Sequence, residues 1–418
     1  MSPHTSAPNV APGKTAEPQL PRVVVVAQAW PALGGIPTFA ELLVNDPRLG
    51  AAAQMTLLNT TRQAVREAGR LSLDNVRHAL EDTWRVFWAG RRADVVHVHA
   101  APGRLFPLLR MLSLCAAARL SGAGVLCHVH SARINGGTPD GFEPRPLFRF
   151  LLRRLAFVDA VLTVSDAGTQ VLRRLVPCAR VETVDNAVDV ASFWRAAPAE
   201  APAVLLFVGT LSIRKGLVDL LEAAAQVQAP PGSWQLVIVG GAAEVGEREA
   251  DQIRQVADAL GLAAALAGPR RGEGLRRTFA SASALVLPSH WEGQPMVILE
   301  AMASGLPIIS TPVGAIPDVV RHDVEGLLLE PHDVAGLAAA LERVISSPAD
   351  RARWGAAARE RVLERHDMPV LAGRLEALYR EVSPRHRGAR GRGSGGQLHL
   401  GHFRSVRPLK RRSSPSAL

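Results

Sequence analysis

The 418-residue chain has few cysteines and no long apolar segment. Its three cysteines form no CxxC pair, and so small a number in a chain of this length excludes a disulfide framework. The uncharged stretch 301–317 is interrupted by prolines and glycines, whereas a membrane-spanning helix needs about 20 apolar residues. Residues 1–20 contain no continuous apolar run. We therefore expect a cytoplasmic protein without a membrane-spanning helix or a signal peptide.

Acidic residues are missing from the end of the chain. Beyond Glu381 there are nine basic residues and no acidic one, so of the net charge of +10 about +1 belongs to residues 1–383 (10 − 9 = 1). The compositions of residues 1–20 and 384–418 do not support a core, and we expect both segments to be disordered. The basic tail is suited to peripheral contact with an anionic membrane. Its one aromatic residue, Phe403, does not favour specific nucleic-acid binding.

Short apolar runs alternate with longer amphipathic stretches through both halves of the chain. This alternation predicts parallel β-sheets that are covered by helices on both faces. The runs lie at 23–27, 95–98, 125–129, 160–164 and 181–184 in the first half, and at 204–208, 236–240, 284–287, 307–310 and 326–329 in the second. A linker rich in alanine and proline, 196–203, separates the halves. We expect an α/β protein with two doubly wound, Rossmann-like domains, residues 21–195 and 204–383.

Neither half carries the GxGxxG sequence of dinucleotide-binding domains, so a nicotinamide cofactor is not expected. Each half opens instead with a strand that runs into a glycine-containing loop, VVVVAQAWPALGG at 23–35 and VLLFVGTLSIRKG at 204–216. Ligands of doubly wound sheets bind beyond the carboxyl ends of the strands. Functional residues should therefore follow strands and face a cleft between the two domains.

The segment 289–311 is the strongest candidate for a ligand site. A predicted strand ends at Pro288, a polar loop follows, and Pro295 suits the first turn of a helix. Free backbone N–H groups at 293–296, together with the helix dipole, would attract an anion. Glu292 lies in the loop and Glu300 lies more than one turn inside the helix. Carboxylates at this edge of a sheet suit the hydroxyl groups of a sugar.

These glutamates, within EGQPMVILEAMASGLPII at 292–309, resemble the nucleotide-sugar signature of family 4 glycosyltransferases. VGTLSIRKG at 208–216 resembles the phosphate-binding loop of that family, and GGIPTF at 34–39 resembles its N-terminal glycine-rich loop. Three further segments follow in family order: VLTVSD at 161–166, DNAVD at 185–189 and VEGLLLEPHD at 324–333. The resemblance covers about residues 22–382. It implies a retaining enzyme of the GT-B fold, with two domains facing across a cleft, of the kind that builds bacterial polysaccharides.

The resemblance implies a role for each matching residue. Glu300 would bind the ribose hydroxyls of a nucleotide-sugar donor, and Glu292 would act in catalysis by binding hydroxyls of the transferred sugar. Lys215 would contact the pyrophosphate. Arg214 would supply a second cation, because Thr210 stands where the family usually has arginine. The other implied donor-binding residues belong to the two loops: Gly34, Gly35, Gly293, Gln294, Pro295 and Met296.

Histidines alternate along two predicted strands, His97 with His99 and His128 with His130, so each pair lies on one face of its strand. A metal site would require ligands that converge from both strands, and no Asp, Glu or Cys cluster accompanies them. Packed core histidines with satisfied nitrogen atoms are the favoured reading for His97 and His128. His130 ends its strand at the cleft. Its position resembles the active-site histidine of the family, which implies a catalytic residue near the donor sugar.

No Asp-x-Asp triplet occurs in the chain. Metal-dependent transferases use such a triplet to hold a divalent ion on the pyrophosphate. Here the charge of the leaving group would meet Lys215, Arg214 and backbone N–H groups at Gly34, Gly35 and Gly293. We therefore expect metal-independent departure of a nucleoside diphosphate, with no metal ligand and no cofactor.

The expected reaction moves a hexose from a nucleotide diphosphate sugar to a hydroxyl group of a glycan or polyprenyl-linked acceptor. The basic, amphipathic segment 145–156 is either a membrane-surface helix or a crossover helix packed on the sheet, and packing is favoured. One alternative is a nucleotide-sugar epimerase or a phosphorylase on the same fold, although three lysines leave little room for a pyridoxal phosphate site. The other alternative is a non-catalytic interaction protein recruited through its tail.

Overall fold

The computed structural model describes residues 20–32, 34–61, 72–130, 146–193, 202–242 and 247–384. The two segments expected to be disordered and the linker at 196–203 lie almost entirely outside these ranges. The domain boundaries drawn from the sequence therefore remain predictions.

The first half forms a parallel sheet in which six described strands follow the order β2-β1-β3-β4-β5-β6. The strands are β1 (Arg22–Ala27), β2 (Gln54–Asn59), β3 (Val95–Ala100), β4 (Gly124–Val129), β5 (Ala160–Thr163) and β6 (Val181–Thr183). The helices are α1 (Gly35–Asn45), α2 (Pro47–Ala52), α3 (Leu73–Gly90), α4 (Leu105–Leu120), α5 (Pro146–Leu152) and α6 (Asp166–Leu175). Every residue of β4 is buried, which explains why its sequence is apolar apart from His128.

The second half repeats the arrangement, with six described strands in the order β12-β11-β10-β7-β8-β9. The strands are β7 (Ala203–Val208), β8 (Trp234–Val239), β9 (Leu266–Gly268), β10 (Ala284–Leu287), β11 (Ile308–Ser310) and β12 (Gly326–Leu328). The helices are α7 (Leu217–Gln226), α8 (Glu247–Ala259), α9 (Gly272–Ala280), α10 (Met296–Ala303), α11 (Ile316–Val319), α12 (Val334–Ser346), α13 (Pro348–Arg365) and α14 (Met368–Val382). Both sheets are parallel throughout their described ladders.

The structure confirms the predicted fold class, and each of the ten predicted strands is present to within two residues at either end. Two further strands, β2 and β9, were not predicted from the sequence. Both lie at sheet edges. In strand β2 only Leu58 is buried, and β9 has three residues without a buried one. Strand β2 (QMTLLN) therefore lacks the continuous apolar sequence that marks a buried parallel strand, whereas β9 (LAG) is apolar but only three residues long.

The last helix, α14, returns to the first half, although the sequence assigned it to the second domain. Its Tyr379 hydroxyl lies 3.0 Å from His97 Nδ1, beneath the first sheet. Arg180 donates two hydrogen bonds to Glu381, at 2.6 and 3.0 Å. A Cβ atom on Gly124 would lie 2.3 Å from the Val382 carbonyl oxygen, so glycine permits this close approach. The second half is thus anchored to the first by its own C-terminal helix.

Within the described residues, no helix combines the length and apolar character that crossing a membrane requires. Helix α5 tests the two interpretations of segment 145–156, of which Arg145 lies outside the described residues. Phe148 and Leu152 are buried, so the helix packs on the body of the domain as favoured. Leu147 and Phe150 nevertheless remain exposed, and the Arg154 guanidinium lies 4.5 Å from the Phe150 ring. The outward face is both apolar and basic.

Candidate active site

The loop between β10 and α10 carries the predicted donor-site residues. Helix α10 begins at Met296, and Pro295 is the residue before it, one position earlier than predicted. The loop is held in place by the Ala315 N–H, which donates to the Gly293 carbonyl oxygen at 2.8 Å. Gly314 adopts a φ of 62°, and a Cβ atom there would lie 2.2 Å from the Glu292 carbonyl oxygen. A glycine at position 314 is therefore required for the loop to pack this closely.

Glu292 is a buried carboxylate that binds the two predicted cations. Its Oε1 accepts from Lys215 Nζ at 2.5 Å, and its Oε2 lies 3.5 Å from Arg214 Nη1. The Ser289 hydroxyl donates a further hydrogen bond at 2.9 Å. Burial alone would raise the pKa of Glu292, but the positive charges of Lys215 and Arg214 outweigh it and hold the pKa below its ordinary value. The residues assigned separately to sugar and pyrophosphate thus form one cluster.

The two cations are positioned by a short 3₁₀ turn, Ile213–Lys215, which Gly216 ends with a φ of 68°. A Cβ atom on Gly216 would lie 1.9 Å from the Pro288 carbonyl oxygen, so this glycine lets the turn lie against the end of β10. The Arg214 guanidinium donates to the Trp291 carbonyl oxygen at 3.0 Å and lies 4.7 Å from the Trp291 ring. Both side chains therefore lie beside the start of α10.

Glu300, unlike Glu292, has no cation beside its carboxyl group among the described residues. Its carboxyl group has no hydrogen-bond or ion-pair partner among the residues that the structure describes, and burial raises its pKa to about 7. A carboxylate in this state can accept hydrogen bonds from an incoming diol, because it does not have to release another partner first.

The glycine-rich loop of the first half reaches the start of α10. Gly34 precedes α1 with a φ of 134°, and a Cβ atom on Gly35 would lie 3.5 Å from Met296 Cγ. Nearby, the Arg271 guanidinium lies 3.9 Å from the Trp30 ring and donates to the Ala32 carbonyl oxygen at 3.3 Å. Arg271 belongs to the GPRRGEG segment at 268–274. These contacts bring the two predicted donor-binding loops together across the cleft.

A buried asparagine that the sequence analysis did not single out connects the halves. The Asn186 backbone N–H donates to Gln294 Oε1 at 2.5 Å, and its Nδ2 donates to the Gln294 carbonyl oxygen at 2.9 Å. The Asn186 side chain also lies beside His130. The DNAVD motif at 185–189 could have drawn attention to Asn186, because it follows the family order. The motif alone does not reveal that Asn186 bonds Gln294, which is 108 residues away.

His130 ends β4 at the cleft, as predicted, and it joins a cluster with His97, His99 and His128. Ring nitrogens of His99 and His130 lie 2.9 Å apart. Burial lowers the pKa of all four rings, and their mutual repulsion lowers it further for His97, His99 and His130. His97 and His128 are packed core residues, as favoured. They are not fully satisfied, however, because each has one buried ring nitrogen without a partner among the described residues.

A second polar cluster lies next to the turn Ile213–Lys215. Asp219 Oδ2 lies 2.9 Å from His290 Nε2 and 3.3 Å from His332 Nδ1. The backbone N–H of His290 donates to the Arg214 carbonyl oxygen at 2.9 Å. None of these three side chains was predicted to be functional.

The family models match both halves of the chain. The model described as Glycosyltransferase Family 4 matches residues 23–192, and the model described as Glycosyl transferases group 1 matches residues 191–361. Together they span the described site from the glycine-rich loop to helix α13.

Curated relatives share about a third of the aligned residues. A glycogen synthase of Mycobacterium tuberculosis is 32% identical over 225 residues, which are 53% of this chain and 54% of the relative. A D-inositol 3-phosphate glycosyltransferase of Thermobifida fusca is 34% identical over 239 residues, with the same two coverages. The chain thus spans about half the length of these curated relatives.

Solved structures share the fold over nearly their whole length. The sucrose-phosphate synthase from Thermosynechococcus elongatus superposes with a TM-score of 0.70 at 20% identity, covering 86% of this chain and 99% of the other. Anabaena HepE in complex with UDP-glucose gives a TM-score of 0.66 at 17% identity, with the same coverages. At these identities the likeness concerns the fold alone. Two matched family models and the GT-B architecture together show that this chain belongs to the family 4 glycosyltransferases.

Proposed function

We propose that the protein transfers a hexose from a nucleotide diphosphate sugar to a hydroxyl group with retention of configuration at the anomeric carbon. The observation that carries the proposal is the cluster of Lys215, Arg214 and Glu292 at the start of α10. It places two cations and a carboxylate at the carboxyl edge of the second sheet, opposite the glycine-rich loop of the first. The relatives named above accord with sugar transfer.

Donor binding would exchange the partners within this cluster. A pyrophosphate carries more negative charge than the Glu292 carboxylate, and Lys215 and Arg214 would turn towards it. Glu292 would then accept hydrogen bonds from hydroxyls of the transferred sugar, while the unpaired Glu300 would accept from the ribose diol. Backbone N–H groups at the start of α10 would complete the anion site.

Departure of the leaving group would be metal-independent. The bond from the anomeric carbon to the phosphate oxygen breaks, the acceptor oxygen bonds to the same face of that carbon, and the hydroxyl proton leaves with the nucleoside diphosphate. Lys215 and Arg214 would stabilise the developing negative charge, which is the role that a divalent ion plays in Asp-x-Asp enzymes. His130, held neutral by burial, would hydrogen-bond the sugar from the opposite side of the cleft.

The proposed acceptor is a growing glycan, lipid-linked at an anionic membrane surface. The first half exposes apolar side chains on two helices, Trp84 and Trp88 on α3, and Leu147 and Phe150 on α5. Tryptophan and basic residues are typical of proteins that lie on a membrane surface. Sedimentation with vesicles tests this contact: binding to phosphatidylglycerol vesicles, weakened in a Phe150→Ser variant, supports it, and equal recovery with phosphatidylcholine alone contradicts it.

The donor site is tested first by calorimetric titration with UDP, GDP and ADP in the presence of EDTA. Tight binding of one nucleoside diphosphate without metal supports the site, and binding that requires Mg²⁺ contradicts metal independence. Incubation with the matching nucleotide sugar then separates the enzyme classes. A transferase releases the nucleoside diphosphate, with product formation that depends on an acceptor, whereas an epimerase converts the sugar without one.

A Glu292→Gln variant tests the proposed exchange of partners. Because Glu292 occupies Lys215 and Arg214 in the absence of donor, its neutralisation should leave nucleoside diphosphate affinity unchanged or tighter. Turnover should fall by about 100-fold, since the sugar loses a charge-assisted hydrogen bond in the transition state. Equal losses in affinity and turnover would contradict the assignment of Glu292 to the sugar.

A further inference from the structure

Three histidines converge inside the first half, behind the cleft. His97 and His99 share one face of β3, and His128 is the register partner of His99 on β4. One ring nitrogen of each histidine lies within 4.8 Å of one ring nitrogen of each of the others. Zinc–imidazole bonds of about 2.1 Å place the ligands of a tetrahedral site roughly 3.4 Å apart. Small rotations of the rings would therefore bring the three nitrogens to ligand distance.

Each ring already has the second hydrogen bond that is typical of a metal ligand. Metal-binding histidines almost always use their other ring nitrogen to bond a carbonyl, a carboxylate or another polar group, which fixes the tautomer and the orientation of the ring. The partners here are the Tyr379 hydroxyl for His97 Nδ1 at 3.0 Å, His130 Nε2 for His99 Nδ1 at 2.9 Å, and the Val184 carbonyl oxygen for His128 Nε2 at 3.0 Å.

The remaining nitrogen of each ring is buried and unpartnered. His97 Nε2, His99 Nε2 and His128 Nδ1 have no hydrogen-bond partner among the described residues. A buried polar atom without a partner destabilises the folded state, and three in one cluster call for a common explanation.

From this geometry we propose that His97, His99 and His128 bind one divalent transition-metal ion, with zinc as the ion that best fits three imidazole ligands. The site is distinct from the pyrophosphate site and does not depend on the proposed transfer reaction. It would join β3 to β4, and through Tyr379 it would join the first sheet to α14.

A metal at this position would also orient His130. With the metal on His99 Nε2, the proton of the His99 ring must reside on Nδ1, which then donates to His130 Nε2. His130 would carry its own proton on Nδ1. The metal itself would not face the cleft. It would affect the cleft through the hydrogen bond between His99 and His130.

The first experiment measures zinc in the full-length protein after dialysis with Zn²⁺ and removal of loosely bound metal. Zinc released on denaturation is quantified with a colorimetric chelator. The cluster of Asp219, His290 and His332, in which only His332 is exposed, is a second group with ligand spacing, so a His332→Gln variant serves as the matched control. We expect one equivalent of tightly bound zinc in the wild type and in His332→Gln, and less than a tenth of an equivalent in folded His128→Gln.

Loss of the zinc in His332→Gln, with retention in folded His128→Gln, would overturn the proposal, as would a wild-type protein that holds no zinc. A second measurement covers the case in which the core variant does not fold. Cu²⁺ bound to the wild-type protein should give an electron paramagnetic resonance spectrum with hyperfine structure from three equivalent imidazole nitrogens. A spectrum with oxygen ligands or a single nitrogen would place the metal elsewhere and overturn the site.

Discussion

The two edges that face the cleft bury their polar groups in opposite ways. The edge of the first half carries stacked histidine rings, and burial lowers their pKa so that they stay neutral. The edge of the second half carries Glu292, which stays charged because Lys215 and Arg214 lie beside it. Neither edge therefore holds an isolated buried charge, because the histidines are neutral and the Glu292 carboxylate is paired with cations. The charged edge suits an ionic ligand, and the neutral edge suits hydrogen bonding to a sugar.

Asn186 and Gln294 connect these two edges. Gln294 belongs to the charged loop, whereas Asn186 contacts His130 on the neutral side. The four predictions below test the contrast between the edges and their connection, from the largest expected effect to the smallest.

A Lys215→Met variant removes one of the two cations that lie beside Glu292 at the charged edge. It leaves the Glu292 carboxylate, which is 6% exposed, with Arg214 at 3.5 Å as its remaining cation. Removing one partner of a buried ion pair costs about 3 kcal/mol of unfolding free energy, measured by urea denaturation. The double variant Lys215→Met/Glu292→Gln is the control: most of the stability should return, while affinity for the nucleoside diphosphate should not. A single variant as stable as the wild type would contradict the buried pair.

A Glu300→Gln variant measures how much the unpaired carboxyl group at the same edge lowers the unfolding free energy. The folded-state pKa is about 7, above the ordinary value of 4.5, so the unfolded state ionises first as pH rises. Stability from this group is therefore fully present below about pH 4.5 and declines as pH rises through 7. The variant should lack this decline and be more stable than the wild type at pH 8 by about 2 kcal/mol.

The same variant should bind nucleoside diphosphate more weakly at pH 8, by about 2 kcal/mol, because it loses charge-assisted hydrogen bonds. Exposed Glu360→Gln is the matched control and should change neither quantity. Parallel stability curves for the wild type and Glu300→Gln between pH 4.5 and 8 would show that the carboxyl is not held in an unfavourable environment.

The connection between the edges is tested by a double-mutant cycle on Asn186→Ala and Gln294→Ala. The single variants each lose buried hydrogen bonds, and their effects on unfolding free energy should be non-additive, with a coupling of about 1 kcal/mol. Turnover should fall in both variants, because the cleft must hold its closed arrangement during transfer. Additive effects would mean that the two residues do not stabilise each other.

A Tyr379→Phe variant tests the neutral edge and should have the smallest effect. It removes the hydroxyl that lies 3.0 Å from His97 Nδ1 and leaves that nitrogen buried without its partner. We expect a loss of about 1 kcal/mol in unfolding free energy, since the group is neutral and no charge is left unpaired. An Arg180→Gln variant, which breaks an exposed contact of the same helix, should lose less than about 0.5 kcal/mol.

The pattern of the strands and the donor motif could be predicted from the sequence because both are local. Val125–Val129 is apolar apart from His128, since a parallel strand is buried on both faces. Glu292 and Glu300 are eight residues apart, and a strand end followed by a helix start is enough to place them. Strand β2 was missed because an edge strand need not be apolar, and β9 was missed because it has only three residues.

The partners of the candidate site residues could not be predicted because they are distant in the chain. Lys215 and Glu292 are 77 residues apart, and Asn186 and Gln294 are 108 apart. Sequence spacing carries no information about which of two cations will approach a carboxylate, or whether a carboxyl will remain alone. The distribution of charge in the site depends on the packing of loops against one another.

The sequence by itself determined the fold class and the family, because the strand pattern and the motifs that identify them lie in contiguous segments of the chain. Only the tertiary structure decided that Glu292 is paired while Glu300 is not, that α14 returns to the first half, and that three histidines of two strands meet. These features depend on which surfaces are buried against each other, and burial controls both the pKa values and the unpaired atoms of the site.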